Sequence, residues 1–165
     1  MPRILVAGIG NIFLTDDGFG CEVVRQLGDL EALPGVRLVD YGIRGMHLAY
    51  DLLDGWDLAI LVDALPDGGE QGRVQVLEVS ADSNGSAWLD AHGMDPAAVL
   101  SSVAALGGEL PRTCLVGVHV SEISEGMGLS DRVGAAVVPA ANAVRELVRE
   151  HLASGSFRQR SERVG

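Results

Sequence analysis

Positive charge is scarce in this chain. It contains no lysine, and its 12 basic residues, all arginine, face 23 acidic ones for a formal net charge of -11. Phosphate backbones would be repelled, which excludes general nucleic-acid binding. Long apolar runs are missing too: none approaches the roughly 20 residues that span a bilayer. The opening MPRILVAG lacks the charged region, apolar core and small-residue cleavage site of a signal peptide. The expectation is a cytoplasmic protein without membrane contact. Cysteine is limited to Cys21 and Cys114, in no CxxC or zinc-like spacing, so a disulfide framework or thiolate cage has no support and both read as free core thiols. No serine stands in a GxSxG elbow and neither cysteine has a base at readable spacing, so covalent catalysis finds no support either.

What is present is enough apolar material for one core: 165 residues at 47% hydrophobic composition suit a single domain over residues 1–153. The polar, aperiodic stretch 154–165 reads as a disordered tail. Short β-branched runs alternate with helical patterns, the mark of a three-layer α/β/α fold around a mostly parallel sheet. Five strands are predicted, at Arg3–Ala7, Val36–Asp40, Asp57–Asp63, Arg73–Val79 and Thr113–Val120. Helical spacing of apolar residues predicts covering helices over Asp17–Leu30 and Asp95–Leu106. A last helix over Ser130–Leu152 is expected to kink at Pro139. The linker Pro66–Gly72 is too short for a crossover to a parallel neighbour, so the fourth strand should be an antiparallel edge. Ser80–Gly93 reads as a mobile loop.

The first strand leads into GIGNIFLTDDG, Gly8–Gly18. A dinucleotide fingerprint would need a third glycine where Phe13 stands, and would leave helix-start amides free for a pyrophosphate. Here Asp16 and Asp17 stand at that start, where carboxylates repel phosphate. Asp40, ending the second strand, still imitates a ribose-binding acid, so an α/β nucleotide-binding module remains one alternative. Ligands of open α/β sheets bind at the carboxyl ends of the strands. Asp17, Asp40 and Asp63 all fall there, and His92 lies in a loop, DAHGMDP, just before a helix. A charge such as Asp63, closing the apolar run LAILVDA, is costly unless it is paired or bound to a cation. Two carboxylates and an imidazole would suit a borderline divalent ion such as nickel or zinc. Each residue also has a plainer reading: Asp16 or Asp17 as a helix cap, Asp63 as an acceptor of turn amides, His92 as a surface residue. His47, His119 and His151 read as structural or solvated.

The blocks GIGNIFLTDDGFG, VDYGIRGMHLAYDLL, LAILVDALPDG, AHGMDPAAVL, LVGVHVSE and GLS resemble, in the same order, those of the nickel-iron hydrogenase maturation proteases. The resemblance runs from about residue 3 to residue 150. It implies an endopeptidase that removes a C-terminal extension from a hydrogenase large-subunit precursor after nickel insertion. By position it implies Asp17, Asp63 and His92 as nickel ligands and site residues, with Asp16 and Asp40 in support. The nickel would be supplied by the substrate, the precursor would be the partner, and the protein would act as a monomer. The chain departs from the family's DGGTxG by writing DYGIRG, which leaves the role of Arg44 open. A non-catalytic chaperone that only inspects the nickel site would need the same three ligands and is the other alternative.

Overall fold

In a computed structural model the chain is described over residues 2–66, 69–79, 95–121 and 123–164. Five strands form one sheet: β1 (Ile4–Ile9), β2 (Val36–Gly42), β3 (Leu58–Leu65), β4 (Val74–Val79) and β5 (Arg112–His119). Their spatial order is β2-β1-β3-β5-β4. β1 pairs in parallel with β2 and β3, and β3 with β5, while β4 runs antiparallel to β5 at the edge. The short linker after β3 therefore has the expected consequence, with one addition: the chain skips a place that β5 later fills. The described helices are α1 (Phe19–Arg25), α2 (Gly45–Leu52), α3 (Asp95–Ala105), α4 (Asp131–Ala135) and α5 (Val137–Val164).

β1 and β3 are buried along their whole length, as central parallel strands covered on both faces must be. Alternate residues divide between two cores. Ile4, Val6, Ile60 and Val62 face α1, α4 and α5. Leu5, Ala7, Ala59 and Leu61 face α2 and α3. Glycine brings α1 unusually close to the sheet: a Cβ on Gly20 would lie 2.2 Å from the Val62 carbonyl oxygen, and one on Gly8 2.6 Å from Val24. Only hydrogen fits at either position.

Three expectations need adjustment. The helix predicted over Asp17–Leu30 is broken into a 3-10 turn at Thr15–Gly18, the seven residues of α1 and a second 3-10 turn at Gly28–Ala32. Cys21, Val24, Leu27 and Leu30 are buried nonetheless, because 3-10 and α turns present nearly the same face over so short a span. The last helix does not kink at Pro139. It breaks at Ala136, between α4 and α5, and Pro139 sits in the first turn of α5, where a missing N–H costs nothing. The backbone of α5 is helical as far as Val164, beyond the expected helix end at Leu152. The predicted loop Ser80–Gly93 lies outside the described residues; β4 ends at Val79 as expected.

Candidate functional site

The carboxyl ends of β2, β1 and β3 lie side by side, with Gly8 paired to Asp40 on one flank and to Val62 on the other. Asp63 is therefore one step further along its strand than Asp40 in this register. The register shifts between Gly8 and Ile9, where Ile9 pairs with Gly42 and Tyr41 is the extra residue. Such a bulge turns the strand end. The Asp40 carboxylate accepts the Gly42 N–H at 3.0 Å, and Gly42 takes the left-handed φ of +57° that the turn requires. Arg44 folds back over the same turn, donating to the carbonyls of Asp40 (2.8 Å) and Tyr41 (3.2 Å). Its place is thus a clamp on the strand end that carries Asp40.

Asp63 is 5% exposed, and one of its oxygens accepts the Ala64 N–H at 2.8 Å. Asp17 sits in the 3-10 turn and accepts the Asn11 N–H at 2.9 Å. Gly10 joins the two. It has a φ of +139°, and a Cβ built on it would lie 1.9 Å from the Asp17 carbonyl oxygen and 3.9 Å from a carboxylate oxygen of Asp63. The space that a pyrophosphate would need above a glycine-rich turn is filled by the chain itself.

The neighbouring acids diverge. Asp16, 3% exposed, points away from Asn11 and into the loop before α4. Its two oxygens accept the Ser130 N–H at 2.7 Å and the Ser130 hydroxyl at 2.9 Å. Around it the Thr15 N–H donates to the Gly126 carbonyl and the Gly126 N–H to the Phe13 carbonyl, both at 2.9 Å. Thr15 is held at φ +50°, a left-handed conformation that a β-branched residue adopts only under constraint. Neither acid makes a side-chain cap for the turn or for α1, so the plain capping reading does not hold.

Cys21 is expected to be a free core thiol. It is free and buried, but it lies among the acids. Its thiol donates to the Gly10 carbonyl at 3.6 Å. Burial first, then a hydrogen bond to Asp40 and the charges of Asp40, Asp63 and Asp17, push its pKa up to about 12. The carboxylates that act on this thiol come from β2, from β3 and from the 3-10 turn that follows β1. The signal in the sequence was the four-residue spacing from Asp17 to Cys21, helical neighbours in projection.

His92 lies outside the described residues. Among the described residues no three His, Cys, Asp or Glu side chains are placed to hold a metal ion together, so two members of the implied trio, Asp17 and Asp63, are brought to one edge and the third is not located. His119, 6% exposed, is engaged with the Gln75 side-chain oxygen at 2.9 Å, as a structural histidine would be. No described helix is long and apolar enough to cross a membrane.

The sequence profile of a family described as hydrogenase maturation protease matches residues 21–147. Hydrogenase 2 maturation protease of Escherichia coli (strain K12) is 33% identical over 153 residues, covering 90% of this chain and 92% of its own. Among solved structures, the hydrogenase maturating endopeptidase HybD from E. coli superposes with a TM-score of 0.71 at 29% identity, over 90% of this chain and 93% of that one. The solution structure of an endopeptidase from E. coli gives a TM-score of 0.77 at 32% identity with the same coverage.

Proposed function

The chain belongs to the hydrogenase maturation protease family, and from that premise we propose that it removes a C-terminal extension from a nickel-iron hydrogenase large-subunit precursor, recognising the nickel already installed there. Asp17, Asp63 and His92 supply the ligands. The observation that carries this reading is geometric: Gly10 has the Asp17 carbonyl and an Asp63 carboxylate oxygen beside it at the strand ends, next to Asp40 on β2, and carboxylates gathered in this way favour an arriving cation.

The nickel is part of the substrate. The carboxylates of Asp17 and Asp63 complete its coordination and so fix the tail of the precursor beside it. Gly10 keeps Asp17 and Asp63 in their relative positions. Asp40, anchored on Gly42 and clamped by Arg44, supports the edge from the other flank. With its pKa near 12 the Cys21 thiol stays protonated at neutral pH, so it is no thiolate nucleophile. Hydrolysis by water activated beside the bound cation is the chemistry that fits this set of oxygen ligands. The nucleotide-binding alternative is disfavoured by the Asp17 carbonyl, which occupies the approach to Gly10.

The test is to strip the enzyme of metal and mix it separately with nickel-loaded and nickel-free precursor, following the length of the large subunit on a gel. Cleavage of the loaded precursor alone is the expected result. Equal cleavage of both would overturn nickel recognition. Activity that returns only when zinc is restored to the enzyme would make it an ordinary zinc peptidase, and an intact precursor bound tightly in every case would make it an inspecting chaperone.

A further inference from the structure

A groove of about 320 Å³ opens beside the 3-10 turn that carries Asp17. One wall comes from that turn and the glycine loop, through Ile12, Thr15 and Gly18; the other comes from Met127, Gly128 and Leu129. Glu22 and Arg25 also line it and pair with each other at 3.0 Å, so the remaining lining is mostly apolar. Its volume is that of a small binding pocket.

The Met127 wall is built to stay in place. Gly126 exchanges hydrogen bonds with Phe13 and Thr15, and Asp16 holds Ser130 through both carboxylate oxygens. Ile123 and Leu129 on either side of it pack against the core. Met127, between them, is left 72% exposed, and Phe13 on the adjoining loop is 62% exposed. Large apolar side chains are exposed elsewhere too, Ile43 at 69% among them, but Phe13 and Met127 stand on pinned loops next to the turn of Asp17, and an apolar rim on a fixed backbone marks a contact surface.

We propose that this groove seats an apolar side chain of the precursor's C-terminal extension. The proposal rests on the function proposed above. Continuity argues for that occupant: Thr15 and Gly18, in one wall of the groove, bracket Asp16 and Asp17 in the same turn, so the groove adjoins the place where the tail would be held. A protein segment that must be read for identity, and not only for its metal, needs such a second contact. Met is adaptable enough to pack against different tails.

The experiment measures steady-state cleavage of nickel-loaded precursor by the full-length enzyme, by Met127→Asp and by Met127→Leu, on a full-length precursor and on one whose extension is shortened to a few residues. An exposed position leaves the fold intact. On the full-length precursor Met127→Asp is expected to raise KM tenfold or more, the cost of losing a buried methionine contact, with kcat changed less than threefold, and Met127→Leu to stay within twofold of the parent. On the shortened precursor the parent KM is expected to rise and the Met127→Asp penalty to vanish. An unchanged KM for Met127→Asp overturns the proposal. A penalty that persists undiminished on the shortened precursor also overturns it, assigning the groove to another part of the large subunit. A parent that elutes as a dimer in gel filtration and becomes a monomer on Met127→Asp overturns it in favour of a second copy of this chain. A parent enzyme that fails to cut loaded precursor sinks the function itself, and the groove's role with it, which separates the two failures.

Discussion

Gly10→Ala is the substitution through which the site geometry is most exposed to test. The added methyl would sit 1.9 Å from the Asp17 carbonyl oxygen, where real Cβ contacts essentially never fall below 3.0 Å. The turn holding Asp17 must therefore retreat by at least 1.1 Å (3.0 minus 1.9), or Gly10 must swing away and carry its φ of +139° into a region that alanine tolerates. Either movement strains the 2.9 Å bond from the Asn11 N–H to the Asp17 carboxylate. A misplacement of about 1 Å in a positioning group costs on the order of a hundredfold in rate, and a backbone held in a disfavoured region costs about 1–3 kcal/mol. For a domain of this size that is a fall in Tm of roughly 2 to 12 °C. Thermal unfolding by circular dichroism and cleavage of nickel-loaded precursor, run well below the lowered Tm, give the two numbers separately. Gly28→Ala is the matched control, because a Cβ there meets nothing within 4 Å, and it is expected to match or slightly exceed the parent in stability. A folded Gly10→Ala enzyme that cuts at the parent rate would refute the claim that Asp17 must be held where it is.

Asp63→Asn keeps an oxygen for the Ala64 N–H and is expected to fold normally while losing at least a hundredfold in cleavage, since the loss of a direct ligand should match or exceed the effect of removing its supports; unfolding by circular dichroism would instead return Asp63 to a structural role. His92→Ala should change stability by less than about 0.5 kcal/mol and abolish cleavage, and a normal rate on a precursor gel would remove His92 from the ligand set. Cys21 should react with iodoacetamide at pH 8 about a thousandfold more slowly in the folded protein than in denaturant, from a pKa raised from 9.0 to about 12. The sign for stability follows: the folded state holds the thiol proton more tightly than the unfolded one, so this contribution is complete below about pH 9 and is lost as pH rises toward 12. Cys21→Val should flatten the alkaline fall of the Tm, and an unchanged fall would locate it elsewhere, with Tyr41, raised by burial and its bond to Asp51, the next group to test.

The sheet was legible because its physics is local. Apolar runs such as LAILV can only be central strands, and a linker as short as Pro66–Gly72 cannot hold a crossover helix. The strand ends drifted by one or two residues, as at Leu58–Leu65 against the expected Asp57–Asp63, since nothing in a strand's pattern marks where pairing stops. The acids at the strand ends were equally legible, because a carboxylate closing an apolar run is costly without a partner. Three features were not. The break between α4 and α5 falls at Ala136, and alanine is a good helix former, so nothing at that position marks it. The proximity of Cys21 to Asp40 and Asp63 joins residues from α1, β2 and β3, and only the sheet order β2-β1-β3 brings them together. The role of Asp16 depends on Ser130, 114 positions away, at a distance over which no spacing rule operates.

That last contact explains why two adjacent aspartates follow the glycine loop. A 3-10 turn rotates the chain by about a third of a circle per residue, so consecutive side chains leave in well-separated directions. Asp16 leaves toward Ser130 and is fully engaged there; Asp17 leaves toward Asn11 and the strand ends. One acid fixes the turn that carries the other. The charges that act on Cys21 and on Tyr41 differ in balance. At Tyr41, the other strongly shifted group nearby, Arg37 and Arg44 offset the charge of Asp51. At Cys21 the leading influences after burial are all carboxylates. Like charges held close by a fixed backbone repel one another. Under the function proposed above, a positive ion brought in by the substrate would stabilise such an edge, which is why nickel-loaded and nickel-free precursor form the two arms of the test.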